Sequence, residues 1–413
     1  MMQNTSHAAW KKLSALLVLP LLAFVTLSAG VAAAQPEDSL ALQRKAALAE
    51  ARYLKSIYKT DAAIERLSGL MQPGAIDEEV LSELADCHYI AGDYETAAGT
   101  YQLLSLHAPQ NLFYRVREMQ LAYRMKDYAA SARLGCEVLA RDSIPAVAAL
   151  VGDAYNLGGV PDSALVYYRQ ALALKPMNEA VVSKAANLLL AGKDYDGVLA
   201  LTGDYLALDP DNLTVAPIQG LAYYLSAQYD SSLVVFERLK ELGQESYPLH
   251  YYLGQSYWHT NVPYRAHREL LDAWALDSTD ANLAWTIAAV KADMRGWDFE
   301  EDIKPWLEKA EAMIQPDSAL VARIHFQYGT GYYGENLWEE AIAHYQKAYR
   351  YNPSQIQALS TIAYCYERQK KYKQALEYYE RYLKLARPGS RGYEFAKKSI
   401  EYIQGELFMK EEQ

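Results

Sequence analysis

Cysteine is scarce in this sequence, with three residues among 413. An odd number of cysteines cannot all pair within one chain. We interpret Cys87, Cys136 and Cys365 as small buried apolar residues rather than as a disulfide framework. The chain is 51% hydrophobic, so its fold is expected to depend on a well-filled apolar interior.

Positive charge is also in short supply, with 40 Lys and Arg residues against 51 Asp and Glu and a formal net charge of -11. The sequence has no basic stripe that could replace the counterions condensed on a nucleic acid duplex. Duplex nucleic acid and anionic membrane surfaces are therefore excluded as expected partners.

Catalytic spacings are missing as well. The eight histidines are scattered, and the closest group, His250, His259 and His267, falls on different helical turns rather than on one metal-binding face. The glycines of residues 329–334 lack the lysine and hydroxyl residue that end a phosphate-binding loop. We expect no enzyme activity, no metal and no cofactor.

Tyrosine, in contrast, is abundant, with 35 residues, and helix-forming residues dominate where strand-like alternation is absent. Its spacing predicts helical hairpins, in which small residues mark the close approach of two helices, aromatics fill the gaps beside them, and proline ends the second helix. The pattern recurs at intervals of about 34 residues, for example at Gly152, Tyr155, Ala164 and Tyr168; at Gly254, Tyr257, Ala266 and Leu270; at Gly329, Tyr332, Ala341 and Tyr345; and at Ala363, Tyr366, Ala375 and Tyr379.

With roughly ten such units in register beyond residue 40, the chain resembles the tetratricopeptide repeat family. The resemblance implies an all-α, right-handed superhelical solenoid whose first helices line a concave groove. A last helix in residues 390–413 is expected to cap the open end of the array. The predicted organisation is a signal peptide at 1–34, a linker at 35–43, about seven repeats at 44–280, an irregular repeat at 281–321, two repeats at 322–389 and the capping helix and tail at 390–413.

The N-terminus predicts export. Lys11 and Lys12 precede an apolar stretch that ends in the small residues Ala32 and Ala34, which indicates cleavage before Gln35. The alternative is an uncleaved N-terminal anchor. Cleavage would leave a net charge of about -13, and no cysteine near the cut offers a site for a lipid. We expect a bacterial periplasmic protein with no integral membrane span after cleavage.

The unit that begins near Ala281 departs from the pattern. Its first helix is followed by about seven extra residues before the second helix. We expect the acidic residues 300–302 to precede that second helix, where negative charge is favourable. The sequence leaves open whether residues 295–304 form a hinge.

Another set of side chains is predicted to line the groove, because helical spacing puts them one turn away from the packing positions. The set is polar toward the N-terminus and aromatic toward the C-terminus. Its members are Tyr89, Tyr123, Arg124, Asn156, Asn187, Tyr224, Tyr251, Gln255, Trp258, Trp285, Phe326, Tyr333, Tyr364 and Arg368. The alternative is a structural role, in which the closing superhelix or the irregular unit covers these rings.

These observations predict a non-enzymatic binding scaffold that holds a partner protein or extended peptide in its groove, in envelope assembly or secretion. The basic clamp with which some family members hold a C-terminal carboxylate is not matched: Lys184 and Asn187 are followed by Ile218 in the next unit. Two alternatives stay open, a glycan or peptidoglycan binder and a structural homo-oligomer.

Overall fold

The computed structural model describes residues 36–72, 74–313 and 318–411. Within these residues the chain forms 21 α-helices and one π-helical turn, with no β-strand. Each helix packs on the next along the chain in most of the array. The predicted all-helical class is confirmed, whereas the predicted signal peptide lies outside the described residues.

The described residues divide into two compact units, one that ends at Leu134 and one that begins at Gly135. The helices of the first unit are α1 (Pro36–Ser56), α2 (Thr60–Ser68), α3 (Glu78–Ala91), α4 (Tyr94–His107) and α5 (Leu112–Arg124), and α6 (Tyr128–Leu139) starts within it and continues into the second unit.

The second unit contains the remaining helices. They are α7 (Pro145–Leu157), α8 (Pro161–Leu174), α9 (Glu179–Ala191), α10 (Tyr195–Leu206), α11 (Ala216–Leu225), α12 (Tyr229–Glu241), α13 (Tyr247–His259), α14 (Pro263–Leu276), α15 (Ala281–Ala292), α16 (Lys304–Met313), α17 (Ser318–Gly334), α18 (Trp338–Tyr351), α19 (Gln357–Arg368), α20 (Tyr372–Leu385) and α21 (Arg391–Glu411).

Helices α1 to α20 pair as ten consecutive hairpins in the described residues, each with an odd-numbered first helix and an even-numbered second helix. First helices of neighbouring hairpins also touch, as in α9 with α11, α11 with α13 and α15 with α17. Helix α21 follows the last hairpin and buries Ala396 and Ile403 against Tyr379 and Tyr382 of α20. The predicted capping helix is thus present.

The turns inside the hairpins repeat one backbone feature. A residue with a φ between 59° and 85° lies between the two helices, where the chain reverses. Within the regular runs these residues are about 34 positions apart, so the backbone itself records the repeat. They are Tyr58, Gly92, Lys126, Gly159, Lys193, Ala227, Asn261, Asn336 and Lys370.

The interior of a hairpin is built from a small residue in the first helix and a large one in the second. A Cβ atom on Gly152 would lie 2.6 Å from the ring of Tyr168, and one on Gly329 would lie 2.8 Å from the ring of Tyr345. Gly254 is equally close to Leu270, at 2.7 Å. The predicted close helix approach is confirmed, and it lets each large side chain contribute about 1.5–3 kcal/mol through burial.

The irregular unit contains a π-helical turn in addition to the predicted helices. This turn, Phe299–Ile303, runs directly into α16, so the acidic residues 300–302 precede α16 as predicted and are themselves helical. Asp298 caps this turn by accepting a hydrogen bond from the Glu301 backbone at 2.9 Å. The Phe299 ring is fully buried and lies 2.0 Å from where a Cβ on Gly331 would be. The extra residues are therefore anchored against α17.

Candidate functional site

Six of the predicted aromatic residues form a row along first helices of the second unit. Tyr251 and Trp258 are seven residues apart and share one face of α13. Trp285 lies on α15, and the row continues on α17 and α19. All six side chains are half-buried. We call them the aromatic row: Tyr251, Trp258, Trp285, Phe326, Tyr333 and Tyr364.

The middle of the aromatic row joins α13, α15 and α17. The rings of Trp258 and Trp285 meet edge to face with centroids 6.3 Å apart. The Trp258 indole N–H donates to Asp293 Oδ2 at 2.6 Å. The guanidinium of Arg323 lies 4.5 Å from the Trp285 ring and donates to Asn282 Oδ1 at 2.6 Å. Arg323 thus adds a cation to a surface that sequence reasoning described as aromatic.

The C-terminal end of the row is also continuous. Tyr333 contacts Trp338 of its own hairpin at 5.6 Å and Tyr364 of the next first helix at 5.9 Å. Tyr364 in turn lies 6.1 Å from Phe395 on α21. Phe395, 47% exposed, extends the aromatic surface onto the capping helix. Phe326 packs edge to face on the buried Tyr345, with centroids 5.1 Å apart.

The N-terminal end of the row is more enclosed. Tyr251 contacts Tyr247 at 5.7 Å and Tyr252 at 5.2 Å, and Tyr252 contacts Tyr224 at 5.1 Å. Burial raises the pKa of both Tyr224 and Tyr251. These tyrosines pack mainly on one another, which agrees in part with the structural alternative.

Gln255 was predicted to line the open groove, but its side chain is buried. Its side chain is only 6% exposed, and its amide donates to Thr286 Oγ1 at 3.4 Å, between α13 and α15. Arg368, Asn156 and Asn187 are exposed on their first helices. Arg368, Asn156 and Asn187 are therefore accessible, whereas Gln255 is part of the packing between two helices.

In the first unit, two arginines cover the predicted site residue Tyr89. Arg117 and Arg124 place their guanidinium groups 5.1 Å and 5.9 Å from its ring. Tyr123 instead contacts Tyr128 across the hairpin turn, at 5.6 Å. A tyrosine covered by two arginines is a preformed cation–π arrangement, and only Arg124 of the two was expected from the sequence.

The carboxylates near these positions already have partners. Asp153 accepts from the Tyr168 hydroxyl at 2.8 Å and from Lys184 at 2.7 Å. In the first unit, Asp86 accepts from the Tyr101 hydroxyl at 2.5 Å and from Arg117. In both places a buried tyrosine and a cation on the next first helix neutralise the carboxylate. These acids join neighbouring repeats rather than offer a free anionic surface.

Two of the histidines considered as a metal cluster, His250 and His259, have different contacts. His250 is 2% exposed and contacts Glu269 Oε2 at 2.9 Å and Glu245 Oε2 at 2.6 Å. His259 stacks on Tyr229 at 4.2 Å. Glu269, with His250 and Asp272, could reach one ion. However, Glu269 already accepts from Lys240 at 2.6 Å, so a second cation there is unfavourable.

An apolar cavity of about 230 Å³ lies between α11, α12 and α13. Pro217, Leu221, Pro248 and Tyr252 contribute to its wall, and Gln244 is one of its few polar residues. No spacing in the sequence predicted this cavity, since it depends on how three helices diverge.

The three cysteines are free. Burial raises the pKa of Cys87 to about 11 and that of Cys365 to about 12, so both thiols are unreactive near neutral pH. Cys136 instead contacts the Tyr167 hydroxyl, with Sγ and Oη 2.9 Å apart.

Comparison with known proteins gives one family match. Residues 332–394, from the end of α17 to the start of α21, match the family model described as Tetratricopeptide repeat. No curated protein matches the sequence.

Several solved structures are similar at low identity. The C-terminal part of a TPR repeat-containing protein from Cytophaga hutchinsonii is 15% identical with a TM-score of 0.47, over 59% of this chain and 98% of that one. A tetratricopeptide repeat protein from Parabacteroides merdae is 15% identical with a TM-score of 0.40, over 60% of this chain and 98% of that one. The APC/C hetero-tetramer Cut9-Hcn1 contains a chain that is 11% identical with a TM-score of 0.44, over 89% of this chain and 85% of that one.

The successive helical hairpins define a class, the all-α helical repeat proteins. Within this chain, residues 332–394 match the tetratricopeptide repeat family.

Proposed function

We propose that this chain is a non-enzymatic scaffold that holds an extended segment of a partner protein against the aromatic row. The observation that carries the proposal is the series of half-buried rings on α13, α15, α17 and α19. Trp258 meets Trp285, Arg323 of α17 covers Trp285, and Tyr333 meets Tyr364, which meets Phe395 on α21. The six rings also pack against the hairpin cores. They keep part of their surface exposed, whereas the core tyrosines Tyr345 and Tyr379 are buried.

The chemistry of the row suits a peptide. Aromatic side chains offer a large contact area with few rotatable bonds, so little entropy is lost when they bind. Arg323 and the exposed Arg368 add guanidinium groups that could pair with partner carboxylates or carbonyl oxygens. A segment with apolar side chains and scattered acidic or carbonyl groups is the partner that this surface favours.

We also propose that the protein is exported and works in the periplasm, in envelope assembly or secretion. The support is the sequence of residues 11–34, which has two lysines, an apolar stretch and an Ala-x-Ala ending. Among the residues described by the structure, no helix is long and apolar enough to cross a membrane. The mass of the mature protein tests the cleavage, since a start at Gln35 is expected and a start at Met1 would contradict it.

The binding role is tested by cross-linking in intact cells, followed by purification and mass spectrometry. We compare the wild type with a double variant, Trp258→Ala with Tyr333→Ala, which removes two rings from the row. Tyr264→Ala is the matched control, since Tyr264 is 59% exposed but lies on the second helix α14. Circular dichroism confirms that each variant is folded.

A partner that is lost in the double variant and kept in Tyr264→Ala would support the scaffold. Recovery of the same partners from all three proteins would contradict it. Binding of purified oligosaccharides that depends on the same two rings would indicate a glycan binder instead, and a concentration-dependent mass would indicate self-association.

A further inference from the structure

Two histidines meet inside one hairpin of the second unit, outside the aromatic row. His325 lies on α17 and His344 on α18, with their Nδ1 atoms 3.2 Å apart. Their ring centroids are 5.2 Å apart. His325 is 6% exposed, whereas His344 is half-buried. Their sequence separation of 19 residues hides the pair from any motif search.

The distance between the two nitrogens fits a shared metal ion. Zinc binds imidazole nitrogen at about 2.0–2.1 Å, and two ligands on a tetrahedral ion are then about 3.3–3.4 Å apart. The observed Nδ1–Nδ1 distance of 3.2 Å is close to this ligand-to-ligand distance. Without a metal, the same contact is one Nδ1–H···Nδ1 hydrogen bond, which needs opposite tautomers of the two rings.

A neutral imidazole has one ring nitrogen that can turn its lone pair toward a metal. The neighbouring Lys347 is the positive charge that a bound ion would meet. Lys347 is exposed, which screens its repulsion toward a bound cation.

The remaining neighbours are aromatic and acidic. Tyr328 and Tyr332 lie 4.8 Å and 5.4 Å from the His344 ring, and Tyr351 lies 6.2 Å from His325. Glu311, near the end of α16, is an exposed acidic residue whose charge acts on His325.

We propose that His325 and His344 form a binding site for a zinc-like divalent transition metal, with both Nδ1 atoms as ligands and water completing the shell. Imidazole ligands favour zinc, cobalt, nickel and copper over magnesium and calcium, which prefer oxygen. The ion would fasten α17 to α18 within their hairpin.

The test is a zinc titration of the full chain after treatment with a chelator, followed by calorimetry and by the visible absorption of the cobalt form. The variants are His325→Gln and His344→Gln. His107→Gln is the control, because its side chain is 44% exposed and lies in the first unit. We expect one saturable ion in the wild type and the control, and binding weakened by at least about tenfold in each test variant.

Two results would overturn the site: no saturable binding of zinc or cobalt by the wild type, or equal affinity in the wild type and both test variants. Should either variant fail to fold, long-range ¹H–¹⁵N spectra of the wild type decide the matter. Zinc must then shift the imidazole nitrogens of His325 and His344, and shifts confined to other histidines would refute the proposal.

Discussion

The ring of Tyr168 occupies the space that a side chain at Gly152 would need. A Cβ on Gly152 would lie 2.6 Å from two ring atoms of Tyr168. The ring cannot easily give way, because it is fully buried and its hydroxyl donates to Asp153 at 2.8 Å. Glycine is otherwise unfavourable in the middle of a helix. Its presence at position 152 is therefore explained by the packing of the Tyr168 ring.

Gly152→Ala should therefore destabilise the protein. Overpacking costs about 1–3 kcal/mol, and the better helix propensity of alanine returns about 1 kcal/mol of that. We expect a lower midpoint in urea. Gly99→Ala is the control, because Gly99 is also inside a helix but no atom lies within 4 Å of its added Cβ. Its midpoint should stay or rise, and a fall in both variants would contradict the packing explanation.

Glu269→Gln should be among the more damaging single substitutions. Glu269 is 1% exposed and accepts hydrogen bonds from Lys240 and His250. Removal of its charge leaves the buried His250 and the partly exposed Lys240 without their anion, at a cost of about 3 kcal/mol. Urea unfolding at pH 7 measures this loss. Glu241→Gln, on an exposed side chain of α12, should change the free energy of unfolding little.

The same residue predicts a pH dependence. Burial alone would raise the pKa of Glu269, but the hydrogen bonds from Lys240 and His250 outweigh it and hold the pKa below 4.5. Its contribution to stability is complete above the unfolded value and is lost as the pH falls through the lower folded value. The free energy of unfolding should therefore fall less steeply below pH 4.5 in Glu269→Gln than in the wild type. Equal slopes would exclude this carboxyl as a source of acid sensitivity.

Phe299→Ala should release the irregular unit. The ring is fully buried against Tyr332, 4.9 Å away, and its loss from the interior costs about 3–5 kcal/mol. Limited proteolysis should then cut between Arg295 and Lys304 faster than in the wild type. Glu301→Ala, an exposed residue in the same turn, should leave the rate unchanged. Rapid cutting of the wild type in this segment would show that Phe299 does not anchor it.

Helix α1 should depend on charge. Glu83 of α3 accepts from Arg52 at 2.6 Å and from Lys55, both on α1. Glu83→Gln removes the shared anion, and we expect α1 to open more easily by about 1 kcal/mol. Hydrogen exchange of the amides of residues 41–56 measures this opening. Exchange in α21 serves as the internal reference, and a uniform increase in both helices would indicate a global effect instead.

The repeats themselves could be read from the sequence, because a small residue in the first helix and a large one in the second must meet wherever two helices approach closely. Gly152 with Tyr168 and Gly329 with Tyr345 follow this rule. The left-handed turn residues could not be read in the same way. Lys126, Lys193 and Lys370 are not residue types that favour a positive φ, and only the hairpin geometry requires it there.

The helix positions of the candidate site residues could be predicted from the sequence, but the contacts of their side chains could not. Helical spacing identified Trp258, Trp285 and Tyr333, since one face of a helix is a matter of counting. Their connections depend on neighbouring helices: Arg323 covers Trp285, and Asp293 holds the Trp258 indole. For the same reason, the contact between His325 and His344 has no signature in a single helix.

Seven of the left-handed turn residues are not glycine: Tyr58, Lys126, Lys193, Ala227, Asn261, Asn336 and Lys370. Each adopts a backbone conformation that costs an ordinary L-residue about 1–2 kcal/mol. A glycine would avoid this steric cost but would lose more backbone entropy on folding. The net gain in folding free energy from a glycine at such a position is therefore up to about 1 kcal/mol. Substitution of glycine at these turns, one at a time, should thus raise the thermal stability of the protein without altering the aromatic row.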